Sequence, residues 1–436
     1  MRNSVTRIAL ALGVSVLLVA PHVHSGQAAS GTQVHSGHVA ARSAANNVTL
    51  NVWYHAYGEA GTHEAVQRYA QEYMQSHPGV TINLTWVVGQ GAYPLKLNPA
   101  LLSNNGPDVY ENGGVSITAI KTKQVYPLDS IYPAAVRTDF NQNAIGQCTR
   151  NGHIYCVSMV IDTGGVYYRK SLFKKAGITS EPKTFDQLLA DAKKLNTGGV
   201  KGLFVGNDGG SSALGNGILE WSAGTDMMSD NRLSFDNPRT VKALQALRTL
   251  NQSGVLLLGA PVDWWDPSAF TQGLTAMQYT GLWAMPLVRK AVGDDFGYMP
   301  WPALDAQGKP ATFFGGWNEY VNGKSAHLQQ ALDYVKWLWI QNTKDEIDFN
   351  TSYGFHIPPR NSAVSAAPKL NIGQAATAVQ VLRNDAHYFA IPYNDPAVQQ
   401  PLLDAATNAI KSSADVATLV HQAAQKAQTA LTSELQ

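Results

Sequence analysis

Five carboxylates stand where the sequence pattern leaves a strand end or a loop: Glu59, Glu111, Asp162, Glu220 and Asp266. Two carboxyl groups facing each other across a sugar would hydrolyse a glycosidic bond, yet no spacing in the chain pairs any two of these. More of the residues with chemical potential are aromatic. Ten Trp and eighteen Tyr in a chain with only 14% charged residues supply apolar faces with polar tips, which suit the faces and hydroxyls of sugars. The competing use of each ring is to fill a core. In Trp264-Trp265-Asp266 two adjacent indoles cannot easily face one core, so at least one is predicted to be exposed or to face a cleft.

Net charge is +1, which gives no reason to expect nucleic acid or an acidic polymer as partner. No cofactor motif is present. His22, His24, His35 and His38 fall in a Ser/Ala/Gly-rich tail with no ordered framework, so they read as solvated rather than as metal ligands. The two cysteines, Cys148 and Cys156, flank an Asn151-Gly152 turn. With a three-residue loop over 151–153 they fall opposite each other on paired strands, within reach of a disulfide. Export agrees with that pairing: Arg2 and Arg7 precede an apolar run over 8–20, and small residues follow at Gly26, Ala28 and Ala29. Residues 1–29 thus read as a signal peptide and 30–47 as a flexible leader. No cysteine follows the apolar run, so release into a periplasm or the medium is expected rather than lipid tethering.

The elements that must position these residues follow in order. Val48, Leu50 and Val52 alternate as a strand, with a loop from Trp53 to Gly58. A helix carries Val66, Tyr69, Ala70, Tyr73 and Met74, and a second strand places Val80, Ile82, Leu84, Trp86 and Val88 on one face. Strand, helix, strand with short links opens a doubly wound sheet, whose ligands sit beyond the carboxyl ends of the strands. That puts Tyr54, His55 and Tyr57 at the edge of a cleft. Further on, Thr184-Phe185-Asp186-Gln187 is a capping box, the Gly/Ser-rich run 207–217 is a loop leading to Glu220 and Trp221, and helices are predicted over 238–252, 326–341, 396–411 and 414–435. The stretch 154–161 reads as a strand that breaks at Asp162-Thr163-Gly164-Gly165 and then resumes.

Five segments along the chain resemble one family. Residues 151–178, NGHIYCVSMVIDTGGVYYRKSLFKKAGI, are similar to the first crossover of family 1 extracellular solute-binding proteins, the substrate receptors of bacterial carbohydrate ABC importers, which are maltose-binding-protein-like. Met159 stands there for the usual proline and Arg169 for the usual Asn. Pro107-Asp108-Val109-Tyr110-Glu111-Asn112 resembles a strand end that delivers polar side chains to the sugar. Phe270-x-x-Gly273-x-x-Ala276-Met277 followed by Gly281-Leu282-Trp283 resembles the segment whose final Trp stacks on a sugar ring. Gly315-Gly316-Trp317 and Tyr353-Gly354-Phe355-His356-Ile357-Pro358-Pro359-Arg360 resemble the later crossings.

The resemblance covers about residues 48–430 and implies an α/β fold of the periplasmic-binding-protein type II, two doubly wound lobes joined by three hinge crossings. Lobe 1 would combine 48–160 and 316–347, and lobe 2 would combine 163–314 and 348–436. It implies a monomeric receptor, not an enzyme, that closes on a sugar or oligosaccharide and delivers it to a membrane permease. The ligand-binding set would be Tyr54, His55, Tyr57, Glu111, Asn112, Asp162, Trp221, Trp264, Trp265, Asp266, Trp283, Gly316, Trp317, Tyr353 and Arg360. For Arg360 a structural pairing with a carboxylate is the favoured alternative. The rival functions are a receptor for a non-sugar solute such as a polyamine, an iron complex or a phosphodiester, and a secreted glycosidase.

Overall fold

A computed structural model of the chain describes residues 47–57, 59–88, 92–229 and 231–436. The predicted signal peptide, nearly all of the leader and the four tail histidines lie outside the described residues. Among the described residues no helix is long and apolar enough to cross a membrane.

Nine strands form one mixed sheet: β1 (Val48–His55), β2 (Val80–Val87), β3 (Val109–Asn112), β4 (Val157–Tyr168), β5 (Lys201–Phe204), β6 (Thr275–Gly281), β7 (Gly297–Met299), β8 (Thr312–Val321) and β9 (Ala386–His387). The main path runs β2-β1-β3-β8-β4-β6-β5, with β7 on β4 and β9 on β8. Strands β1, β2 and β3 are parallel, as short strand-helix-strand links require. Strand β8 returns antiparallel between β3 and β4. The β1 strand extends through His55, further than the alternation of Val48, Leu50 and Val52 indicates, because Trp53, Tyr54 and His55 continue the pairing with β2. Val88 is left outside β2 and 77% exposed, while Trp86 is half-buried with the His63 ring stacked on it at 4.8 Å.

No break occurs in β4. It runs unbroken and almost entirely buried through Asp162-Thr163-Gly164-Gly165. The glycines serve close packing rather than a turn: a Cβ on Gly164 would lie 2.1 Å from the Tyr279 hydroxyl, and one on Gly165 would lie 2.3 Å from the Tyr298 ring. At this point β4 changes partners. Residues 157–163 pair with β8, whereas 164–168 pair with β6 and, over 166–168, with β7.

Three large buried clusters and a small one around Phe204 fill the space around the sheet among the described residues. One joins Leu50, Val52, Tyr69, Val109, Val157, Tyr320 and Trp339. Another joins Leu188, Leu203, Leu244, Met277, Trp301, Leu402 and Val420. The third, with Ile161, Tyr167, Phe270, Phe314, Ile357 and Leu382, surrounds the stretch where β4 changes partners.

The helices follow their signals closely. Asn237 caps Pro238–Gln252 through Arg239 and Thr240 N–H groups, and Gly254 has positive φ just past its end. Thr184 caps Phe185–Leu195, with the Gln187 side chain accepting from Lys183 N–H rather than from Thr184. The helix expected over 326–341 is α-helical over Leu328–Lys336 and π-helical over Trp337–Gln341. Trp339 is fully buried as its stripe indicates, and Trp337 packs edge-on against Tyr73.

Cys148 and Cys156 are bonded, with Cα atoms 5.3 Å apart. The hairpin differs from its expected form. Arg150 pairs with His153, so the loop has two residues, Asn151 and Gly152, both with positive φ. That is the tight turn an Asn-Gly pair favours. Cys148 then lies opposite Tyr155 and reaches its neighbour Cys156 at the end of the Gln142–Cys148 helix. Closing so short a loop restricts the unfolded chain, so reduction of this bridge is expected to lower stability by about 2–3 kcal/mol. Urea unfolding with and without a reductant would measure it; an unchanged midpoint would contradict that role.

Candidate functional site

The carboxyl ends of β1 and β3 bring together the first group of predicted residues. Glu111, wholly enclosed, takes the His55 backbone N–H and ring Nδ1 on Oε1 and the Tyr57 hydroxyl on Oε2 at 2.6 Å. Burial, with Glu111 beside it, pushes the Tyr57 hydroxyl pKa well up. His55 stacks on Trp317 of β8 with centroids 3.9 Å apart. Trp317 is half-exposed, as are Phe313, Gly315 and Gly316 on the same strand, so this part of β8 is reached by solvent. Gly316 has φ +126°, and a Cβ there would lie 2.0 Å from the Val160 carbonyl oxygen. Only glycine permits that approach beside the irregularity in pairing between Trp317 and Asn318.

Asp162, buried on β4, faces His356, which contacts it through Nδ1 at 2.7 Å; on the other side His356 Nε2 lies 3.5 Å from Glu59. Burial alone would lower the His356 pKa, but the two carboxylates outweigh it and push it up to about 10. Glu59 is held below the usual carboxylate range: burial opposes this, and the hydrogen bond and charge of His356 prevail. The Asp162 carboxylate expected to contact solute is therefore matched by an imidazolium. Tyr353 lies over Gly61, its hydroxyl 3.1 Å from Asp348 and from Arg68.

The third group is aromatic. Trp264 and Trp283 are half-buried with centroids 6.0 Å apart, and Trp283 lies 6.4 Å from Phe313. Trp283 Nε1 donates to the Trp265 carbonyl at 2.9 Å, and the Trp265 ring is 41% exposed. The expectation that two adjacent indoles cannot share one core therefore describes what is found. Asp266 accepts from Ser268 N–H at 2.8 Å and so begins the Ser268–Thr271 turn of helix.

Other predicted residues have structural surroundings. Tyr54 is fully buried with its hydroxyl donating to Glu319 at 2.6 Å. Trp221 is buried in the cluster around Leu203 and stacks on His387. Arg360 is buried against Glu346, the pairing favoured from sequence. Asn112 is half-exposed and accepts from Gly113 N–H. Glu220 is enclosed; burial pushes its pKa up to about 7.

Sequence reading missed His356, Phe313 and Glu319, and it saw Glu59 only as a spare carboxylate. His356 lies within the 353–360 segment, but nothing local announces a histidine whose partner Asp162 is 194 residues away along the chain. Phe313 was signalled weakly, two residues before the paired glycines.

Residues 59–338, well over half of the chain, match the family described as "Bacterial extracellular solute-binding protein". The sn-glycerol-3-phosphate-binding periplasmic protein UgpB of Escherichia coli K12 is 26% identical over 378 residues, 81% of this chain and 80% of that protein. A "Probable ABC transporter-binding protein" of Deinococcus radiodurans is 29% identical over 221 residues, 48% of this chain and half the length of that relative. Among solved structures, the GacH receptor of Streptomyces glaucescens superposes with TM-score 0.74 at 21% identity, over 88% of this chain and 99% of that one. The Thermus thermophilus maltotriose binding protein gives 0.70 at 22%, over 88% and 100%. At these identities the superpositions show the fold, that of type II periplasmic binding proteins. With ordered motifs, sheet topology and a sequence match over most of the chain in agreement, the chain belongs to the bacterial extracellular solute-binding proteins.

Proposed function

We propose that this protein is the exported receptor of an ABC importer that captures a sugar or oligosaccharide between two lobes, 48–160 with 316–347 and 163–314 with 348–436, and presents it to a membrane permease. One observation carries the reading: the half-exposed rings of Trp264, Trp283 and Phe313 neighbour one another, Phe313 shares β8 with the half-exposed Trp317, and on the strands that flank β8 the carboxylates Glu111 and Asp162 are already matched by imidazoles. Such a surface suits a neutral polyhydroxylated solute. A phosphorylated solute like that of the UgpB relatives would want a free cation, and two arginines belonging to or touching the predicted set are committed, Arg360 to Glu346 and Arg68, beside Tyr353, to Asp348. A polyamine would want unmatched carboxylates, and hydrolysis would want two carboxyl groups free to act. Closure follows from differential affinity: solute that touches both lobes stabilises the closed arrangement over the open one.

The test is a thermal-shift and calorimetric screen against maltose, maltotriose, mannobiose, tagatose, spermidine and sn-glycerol 3-phosphate. A solute at a hundred times its Kd adds about 2.7 kcal/mol of stability. Trp283→Ala should weaken saccharide binding about 30-fold, since a stacked ring face of ~80 Å² contributes ~2 kcal/mol. Binding of spermidine or the phosphate alone, or recovery of cleaved saccharide, would refute the sugar-receptor reading.

A further inference from the structure

Glu111 sits at the strand end that sequence assigns to solute contact, yet neither of its oxygens is unoccupied. Oε1 takes two donors from His55, and Oε2 takes the Tyr57 hydroxyl. The Glu111 backbone carbonyl takes a third side chain, the Tyr93 hydroxyl, at 2.9 Å. The three rings anchored in this way all meet one indole. His55 lies flat on Trp317, 27° from parallel, while Tyr57 and Tyr93 meet its edge with centroids 6.4 Å away. Glu111 is enclosed and Trp317 half-exposed.

We infer that Glu111 is a positioning residue: through His55, Tyr57 and Tyr93 it fixes Trp317 as a preset stacking face, and it does not itself touch the solute. An acceptor-only carboxylate is suited to this task, because all the groups aimed at its oxygens donate. The benefit is preorganisation. A ring already locked in one rotamer loses no freedom when a solute stacks on it. The inference rests on the sugar-receptor reading for its effect on binding, but not for its effect on Trp317.

A double-mutant cycle separates action through Trp317 from direct contact. With the saccharide that shifts the wild type most, taken from maltose, maltotriose, mannobiose and tagatose, Glu111→Gln should raise Kd about tenfold. In a Trp317→Ala background the same change should raise it less than twofold. A tenfold loss in both backgrounds means direct contact and overturns the inference, as does no loss in either. Tyr57→Phe, which removes only the Oε2 hydrogen bond, replaces Glu111→Gln in the cycle if that variant does not fold. A second readout needs no solute. Trp317 emission, taken as the difference between each protein and its Trp317→Phe counterpart, should rise and become more open to acrylamide in Glu111→Gln as the His55 stack loosens. Unchanged emission overturns the inference. If no saccharide binds the wild type, the sugar reading fails while the emission result still decides the role of Glu111.

Discussion

Arg360→Met is expected to lower the unfolding free energy by about 3–5 kcal/mol, the cost of leaving one partner of a buried ion pair behind. The guanidinium is 7% exposed and fully used: Nε bonds Glu346 at 2.7 Å, Nη1 the Ile340 carbonyl at 2.7 Å, and Nη2 the Thr343 hydroxyl at 2.8 Å. Glu346 is wholly enclosed. Methionine fills much of the volume but leaves a carboxylate, a carbonyl and a hydroxyl without their donor. The second change Glu346→Leu should recover much of the loss, because the remaining charge goes with it. Urea unfolding measures both. Solute affinity of the folded variant should stay within about twofold, because none of these groups joins the aromatic surface. A loss below about 1 kcal/mol would contradict the enclosed pair.

Stability should also fall as pH rises across the neutral range, and Glu319 is the main reason. Burial pushes its pKa up to about 8; the Tyr54 hydroxyl and Trp339 indole N–H pull it back, and Glu111, directly opposite on β3, pushes it further up. The folded protein keeps a proton that the unfolded chain releases near 4.5. The contribution is therefore complete below that pH and is lost on the way to about 8, at about 1.4 kcal/mol per pH unit. Glu220 acts in the same sense up to about 7. His356, raised from 6.5 to about 10, contributes stability that is complete below 6.5 and is lost as pH climbs to about 10. Urea midpoints should decline from pH 5 to 9, and Glu319→Gln should flatten the lower part of that decline. A midpoint that rises between pH 5 and 8 would refute the assignment.

Local elements were legible because local rules govern them. Thr184 marks the start of its helix, Asn151-Gly152 marks its turn, and alternating apolar residues mark β1 and β2. What the sequence left unread depends on contacts across the fold. Gly164 and Gly165 looked like a break because only the Tyr279 and Tyr298 rings, distant in sequence, reveal why a continuous strand needs them. Tyr54 and His55 were read as a loop and instead end β1, and Glu111 was read at a strand end, but whether each would face solute or a neighbour depended on Glu319, Trp317 and Tyr57. Trp265 was legible for a different reason: of two adjacent indoles that one core cannot absorb, one remains at the surface.

Strands β4 and β8 pair with each other while each also pairs outward, β8 to β3 and β4 to β6. What joins the two ends of the sheet there is a hydrogen-bonded ribbon rather than a pair of tethers. Such a ribbon resists extension and sliding but yields to torsion, since strand twist varies at little cost. Phe313 and Trp317 ride on it, so any twist of the ribbon turns both rings together. In the proposed receptor, capturing a solute and setting the angle between the surfaces that grip it would then be one mechanical coordinate.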